Sequence, residues 1–126
     1  MNSNSNTLET ALQQFIGSSV FYRIPLINLK ITEGIAYLAE HGHCHWFVND
    51  ALIMCKGLQH KCPFIVIDFK RLTQQEQQGR GYEAQVNYSD GNANVLETQP
   101  YKITDFPMDS LRMYFVNEML MLPREY

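Results

Sequence analysis

The stretch YEAQVNYSDGNANVLETQPY at residues 82–101 decides the fold. Its first eight residues alternate apolar with polar side chains, which is the pattern of a strand with one buried and one solvated face. Asp90-Gly91 follows at once, and this dipeptide tolerates the positive φ values of a hairpin turn. A partner strand is expected over residues 95–103. The segment therefore predicts an antiparallel hairpin in which Asp90-Gly91 has a structural role.

Further strands are predicted on both sides of this hairpin. The run FIVIDF at residues 64–69 is rich in β-formers and too short for a helix. After a turn at 105–107, residues 111–116 and 119–122 form two more apolar runs, which Asn117-Glu118 separates. Residues 73–81 are polar and are expected to be a connection. Together these runs predict an antiparallel meander of four or five strands.

The N-terminal half favours helices. Asn6 and Glu9 have the spacing of a capping box, and the apolar positions that follow them recur on one helical face up to Ile16, before Gly17. Thr32 is placed to cap a second helix ending at His41-Gly42. A third, mostly buried helix is expected over residues 46–59. Residues 20–31 fit either a short edge strand or an extended link.

This order of elements predicts the fold class α+β, with about three N-terminal helices packed on one face of a four- to five-stranded antiparallel meander. We expect a flexible tail over residues 1–6 and a single domain over residues 7–126. One domain is the expected number for a chain of 126 residues.

Composition excludes several classes of function. The net charge is −3 and the ten basic residues are scattered, whereas a nucleic-acid-binding protein normally has a basic face. No apolar stretch approaches the roughly 18 residues that cross a bilayer. The N-terminus lacks the pattern of a signal peptide, so a cytoplasmic location and free thiols are expected. Charged residues make up only 18% of the chain, which favours association with a protein or with itself.

Several segments resemble an uncharacterised family of small bacterial proteins whose members also occur on plasmids and phages. They are PFIVIDFK at 63–70, YSDGNANVLETQPY at 88–101, ITDFP at 103–107, LRMYFVNEMLMLPREY at 111–126 and, more weakly, GIAYLAEHGHCHWFVNDALI at 34–53. The DGN hairpin, the TDFP turn and the closing LP-x-EY are the most specific of these. The resemblance implies one compact domain of bacterial or mobile-element origin, and it carries over no catalytic residue.

The chain departs from the family pattern at two turns. Ala93 stands where the family often repeats a glycine, and Glu118 stands where an Asn-Gly turn is common. Both hairpins are therefore expected to have altered turn geometry.

The histidines and cysteines are concentrated in 22 positions, and imidazoles and thiolates are the preferred ligands of Zn²⁺. The candidate metal ligands are His41, His43, Cys44, His45, His60 and Cys62. Against a metal site, alternating ligands on a short loop diverge, no C-x-x-C pair is present, and a long helix separates the two groups. We therefore assign no metal ligand and read this segment as a helix-to-helix turn with buried thiols.

Other candidate sites are weaker. Cys44 beside His43 or His45 could form a thiol–imidazole pair, although sequence neighbours rarely meet in the required geometry. Asp90, Asn92 and Asn94 copy the opening of an EF-hand loop, but the glycine at the sixth position and the carboxylate at the twelfth are missing.

Two further groups need the tertiary structure for a decision. The acids Asp68 and Asp105 can be judged only in three dimensions. The seven tyrosines, among them Tyr88, Tyr101, Tyr114 and Tyr126, could supply a contact surface, and a role in the core is the simpler interpretation for most of them.

No catalytic residue and no cofactor is assigned. The leading hypothesis is a non-catalytic protein-interaction module, whose closing strands, 111–116 and 119–122, could pair with another chain or form a homodimer. The alternative is a zinc-binding or thiol enzyme that uses the cluster between His41 and Cys62.

Overall fold

A computed structural model describes residues 3–15, 21–24 and 28–126 of the chain. The helices are α1 (Ser3–Leu12), α2 (Glu33–His41), α3 (His45–Leu58) and α4 (Gln74–Arg80), and a 3₁₀ helix spans Pro123–Glu125. The strands are β1 (Phe21–Ile24), β2 (Leu29–Thr32), β3 (Phe64–Arg71), β4 (Ala84–Ser89), β5 (Val95–Tyr101), β6 (Ser110–Val116) and β7 (Met119–Met121).

The strands form one sheet of seven in the order β1-β2-β7-β6-β3-β4-β5. All neighbours are antiparallel except β2 and β7, which run parallel. The α+β class is confirmed, but the four- to five-stranded meander is wrong, because β6 returns to the far side of β3 and β7 then joins the N-terminal strands. Strand β3 lies inside the sheet, with β4 on one side and β6 on the other.

The closing strands are therefore not an open edge. Strand β6 pairs with β3 along its whole length, and β7 lies between β6 and β2. The argument for self-pairing through these strands is wrong, and the edges of the described sheet are β1 and β5. Homodimerisation itself stays a prediction.

One hydrophobic cluster joins helices to the sheet. Alternate residues of β3, namely Ile65, Ile67 and Phe69, are fully or almost fully buried, as the period of a strand requires. Phe47 of α3 meets Phe69 edge to face, with ring centroids 5.6 Å apart. That all three N-terminal helices pack on this face stays a prediction.

Helix α2 forms as its sequence predicts. The Thr32 side chain accepts a hydrogen bond from the Ile35 N–H at 3.4 Å, which satisfies one free amide of the first turn, and Gly42 follows the last residue of the helix.

Helix α1 differs from its prediction, since it begins at Ser3 and not at Asn6, within the expected tail. The Gly17 end expected for it lies outside the described residues. Residues 21–24 and 29–32 are paired strands.

The expected polar connection over residues 73–81 contains helix α4. Thr73 accepts from the Glu76 N–H at 3.2 Å, while the Glu76 carboxylate accepts from the Thr73 N–H at 3.0 Å, and this completes a capping box. Gly81 ends the helix with φ of 82°. Apolar periodicity missed this helix because it has no buried residue, so its local caps were the available signal.

The Asp90-Gly91 hairpin is confirmed, and β5 ends at Tyr101 instead of Ile103. Gly91 has φ of 84°, and the Asp90 carboxylate accepts from the Asn92 N–H at 2.7 Å and from Asn94 Nδ2 at 2.8 Å. The Asn94 side chain and then the Asn92 amide hold the pKa of Asp90 below its usual value. The carboxylate is thus engaged by its own loop.

Ala93 and Glu118 have left-handed backbone although neither residue is glycine. Ala93 has φ of 71° and Glu118 has φ of 61°, a region where a side chain costs free energy that glycine avoids. Both turns therefore have a conformation suited to glycine, and altered geometry of the two hairpins stays a prediction.

Candidate functional site

The histidine and cysteine candidates are not assembled into a site. His41, His43, His45 and His60 are exposed, whereas Cys44 is fully buried and Cys62 is half-buried. Across residues 3–15, 21–24 and 28–126, no three His, Cys, Asp or Glu side chains are grouped so that they could hold a metal ion. The ring of His41 instead stacks on Tyr37 with centroids 3.9 Å apart.

The thiols have structural surroundings. Burial raises the pKa of Cys44 to about 12, and the negative charge of Asp105 adds to this. Its S–H donates to the Leu38 carbonyl at 3.4 Å. The Cys62 S–H donates to the Phe64 carbonyl at 2.8 Å. Because a nucleophilic cysteine needs an accessible thiolate, this geometry gives no support to catalysis by Cys44.

Asp68 and Asp105, the two acids whose role could be judged only from the tertiary structure, have different partners. Asp68 forms a bidentate ion pair with Arg112, at 2.7 and 3.1 Å, on an exposed part of the sheet. Asp105 lies near the Cys44 thiol, as its effect on that pKa indicates. The Asp68–Arg112 pair borders a cavity of about 380 Å³ between α1 and β6, where Leu12 and Leu111 add apolar wall. Asp68 and Arg112 neutralise each other, so this pair offers no unpaired charge to a ligand in the cavity.

A second pocket is lined by both polar and apolar side chains. It lies between α3 and β5, has a volume of about 340 Å³, and is lined by Asp50, Ile53, Met54, Gly57, Leu58 and Gln99. We call it the α3–β5 pocket. Its helical residues recur at intervals of three and four, so they share one face of α3. Gly57 has no side chain to fill the pocket, and there is open space beside it, since a Cβ built there would meet nothing within 4 Å.

Asp50 is held in place from the sheet. The Tyr101 hydroxyl donates to Asp50 Oδ2 at 2.9 Å, and Trp46 packs edge-on against the Tyr101 ring with centroids 5.5 Å apart. Burial raises the pKa of Tyr101, and the hydrogen bond to Asp50 and its negative charge add to the effect. The hydroxyl therefore stays protonated and orients the carboxylate.

The Asp50 carboxylate has no cationic partner among the described residues. The three ion pairs there are Lys70–Glu76, Arg71–Asp109 and Arg112–Asp68. A carboxylate half-buried beside apolar side chains, and neutralised by no base, is an acceptor for an incoming positive group.

Two buried polar atoms near Asp50 lack hydrogen-bond partners among the described residues, namely Tyr88 Oη and Gln99 Oε1. Tyr88 is fully buried, and the negative charge of Asp50 contributes to raising its pKa, after burial, Tyr101 and Cys55. Both atoms are enclosed by the protein, so neither is exposed to a ligand in the pocket. Among the residues that line the pocket, the half-buried carboxylate of Asp50 can accept a hydrogen bond from an incoming donor.

Sequence reasoning named Tyr88 and Tyr101 only as members of a general tyrosine surface, and it missed Asp50 and Gln99. The signal for Asp50 was present, since it is an acid on a helix whose other positions are mostly apolar. Gln99 had no such signal, because a glutamine in a half-exposed strand is ordinary.

Comparison with known proteins gives one match. The model of a family described as a family of unknown function, DUF6876, matches residues 6–126. No curated protein and no solved structure matches the chain.

Proposed function

Because this chain belongs to DUF6876, a family of unknown function, we propose from its own geometry that it is a non-catalytic protein-interaction module that binds through the α3–β5 pocket. The observation that carries the proposal is the pocket itself, in which the half-buried Asp50 carboxylate, without a cationic partner among the described residues, lies beside apolar side chains. A bacterial or mobile-element origin belongs to the same proposal and rests on the resemblance of its motifs.

The surface around the pocket supports binding of another protein. Ile53 lines the pocket and is 61% exposed, and Met54 beside it is half-buried. Exposed apolar side chains at the rim of a cavity with a few polar groups are typical of a contact site.

The edge strand β5 is better suited to binding a partner through side chains than to pairing with a strand of that partner. Pro100 lies in β5 and lacks an N–H, so the edge strand has one donor fewer for pairing with an incoming chain. The register also shifts between Tyr88 and Ser89, which interrupts the regular ladder near the other end of β5. The partner is therefore bound chiefly in the pocket.

The test compares proteins captured by three immobilised versions of the chain: the parent, Ile53→Gln and Ile103→Gln. Both isoleucines are exposed, with Ile103 at 83%, and Ile103 is not among the residues that line the pocket. We expect a stoichiometric partner that the parent and Ile103→Gln retain and Ile53→Gln loses. Equal capture by all three versions would contradict binding through this pocket.

The alternative function, a zinc-binding or thiol enzyme, is tested separately. Elemental analysis of the purified protein measures bound zinc, and we expect far less than one equivalent. A stoichiometric amount of zinc that is lost on replacement of the exposed His43 and His45 would reverse the ranking of the two functions.

A further inference from the structure

Strand β6 has a neighbouring strand on both sides for only part of its length. Strand β3 pairs with all of β6, whereas β7 pairs only with residues 114–116, and no other strand of the described chain pairs with residues 110–113 on that side. We propose that this open side of β6 is a second binding site, which takes an extended peptide segment of a partner protein as an added antiparallel strand. The site is separate from the α3–β5 pocket and goes beyond the proposed function.

The backbone groups of Ser110 and Arg112 point to the open side. The Arg71 N–H donates to the carbonyl of Asp109, the residue that faces it in the same register, at 2.8 Å. Because bonded and non-bonded pairs alternate along antiparallel strands, the odd-numbered residues of β6 bond to β3, and Ser110 and Arg112 face the other way. One N–H and one C=O on each of these two residues can pair with an added strand.

The residues that follow β7 explain why it does not cover this stretch. Pro123 has no N–H to donate to a ladder, and it begins the 3₁₀ helix. The Glu125 carboxylate accepts from the Thr32 hydroxyl and from the Leu122 N–H. These bonds hold the residues after β7 against the start of α2, so the chain does not continue beside β6. The open stretch is therefore a consequence of how this end of the sheet folds.

The cavity of about 380 Å³ lies at this open stretch. Its lining includes residues 110–112 of β6, residues 122–124 after β7, and Leu12 of α1. The cavity thus lies where a continuation of β7 would run. A strand edge that a helix or loop covers closely would leave no such space, so the cavity is a second observation that supports an added strand.

The side chains around the cavity indicate the kind of peptide. Paired residues of antiparallel strands share a face of the sheet, so an added residue opposite Leu111 faces the hydrophobic core. Leu12 and the buried Met108 line the cavity there. An added residue opposite Arg112 faces the side on which Arg112 pairs with Asp68. Apolar side chains should therefore alternate with polar ones in the bound segment.

The first experiment measures amide hydrogen exchange of the full chain by NMR. In the free protein, we expect the N–H groups of Ser110 and Arg112 to exchange about tenfold faster, or more, than those of Leu111 and Met113. Equal protection of all four would mean that another segment of this chain occupies the open side, and it would overturn the proposal. Protection of Ser110 and Arg112 that rises with protein concentration would overturn the partner in favour of a second copy of the chain.

The second experiment adds a pentapeptide, Thr-Val-Thr-Val-Thr, with an acetylated N-terminus and an amidated C-terminus. We expect it to slow exchange at Ser110 and Arg112. Methylation of the backbone nitrogen of the central threonine, whose N–H would face β6, should weaken binding about tenfold. Methylation of the valine after it should have little effect, since that N–H points away from β6. No binding of the peptide, or an equal loss from both methylations, would overturn the added strand.

Variants of the chain show whether the peptide binds at β6. Ser110→Pro removes the N–H at the open side, and proline is tolerated at the first residue of a strand, so we expect the chain to fold and to bind the peptide about tenfold more weakly. Ser110→Ala keeps the N–H and should bind like the parent. Ile53→Gln changes the α3–β5 pocket and should also bind like the parent.

Two results with these variants would contradict the site. Parent-like binding by folded Ser110→Pro would overturn pairing with β6. Loss of binding in Ile53→Gln would place the peptide in the α3–β5 pocket, which would overturn this second site and leave the proposed function standing. Should Ser110→Pro fail to fold, the two methylated peptides decide, since they leave the protein unchanged.

Discussion

The hydroxyl of Thr32 donates to Glu125 Oε1 at 2.5 Å, although the two residues lie 93 positions apart. Both side chains are buried, and the Glu125 carboxylate also accepts from the N–H groups of Gly34 and Leu122, each at 3.0 Å. The penultimate residue thus satisfies the first turn of α2, where a negative charge also suits the helix dipole. This contact gives the closing LP-x-EY segment a structural role.

Replacing Glu125 by Ala should lower the free energy of unfolding by about 3 kcal/mol, because three buried donors lose a charged acceptor. Urea denaturation measures the change. Arg124→Ala, at an exposed neighbour in the same 3₁₀ helix, is the control and should stay within about 0.5 kcal/mol of the parent. Equal effects of the two variants would contradict the role of the buried carboxylate.

Gly34→Ala and Gly57→Ala should change stability in opposite directions although both glycines are helical. A Cβ at Gly34 would lie 2.7 Å from Glu125 Oε1 and from Leu122 Cδ1, so crowding should cost about 1–3 kcal/mol. At Gly57 nothing lies within 4 Å, and the alanine should stabilise α3 by about 0.5–1 kcal/mol. Thermal unfolding of both variants tests this, and a shift of the same sign would be the contrary result.

Gly91→Val should destabilise the hairpin by about 1–3 kcal/mol, since φ of 84° places a β-branched side chain in a disfavoured region. The new Cβ would also lie 3.3 Å from Val66 Cγ2. The melting temperature measures the loss. Millimolar calcium should leave that temperature unchanged, because the Asp90 carboxylate is engaged by its own loop. Parent-like melting of the variant, or stabilisation by calcium, would refute the structural reading of this turn.

Tyr88→Phe should raise the free energy of unfolding by about 1 kcal/mol, because it removes a buried hydroxyl that lacks a partner among the described residues. Tyr101→Phe is the matched comparison and should lower it by about 1 kcal/mol, since the Asp50 carboxylate loses its donor. Opposite signs in urea denaturation are expected. A clear loss of stability in Tyr88→Phe would mean that its hydroxyl is hydrogen-bonded in the folded protein.

Alkaline pH should destabilise the fold through the two buried thiols. Burial raises the pKa values of Cys44 and Cys55 to about 12, whereas an unfolded thiol has a pKa of about 8.5. Stability from a raised pKa is fully present below the unfolded value and is lost as the pH rises toward the folded value. The free energy of unfolding should therefore fall above about pH 9, by about 1.4 kcal/mol per pH unit for each thiol. Urea denaturation at pH 8, 9 and 10 measures this slope, and a flat profile would contradict it.

Local sequence patterns predicted much of the secondary structure. The alternation before Asp90-Gly91 predicted the β4–β5 hairpin, and the Thr32 cap with the His41-Gly42 end predicted α2, because these signals act over a few neighbouring residues. Helix α4 was missed since its residues bury nothing, although its Thr73–Glu76 capping box is equally local.

The sequence by itself therefore determined the α+β class and the positions of most elements, whose signals lie in neighbouring residues. Only the tertiary structure decided the strand order, in which β7 runs parallel to β2, and the contacts of Thr32 with Glu125 and of Asp50 with Tyr101. The physical reason is that such contacts join segments 51 or more positions apart. They depend on how whole faces pack against each other, and no repeat within either segment records the identity of its distant partner.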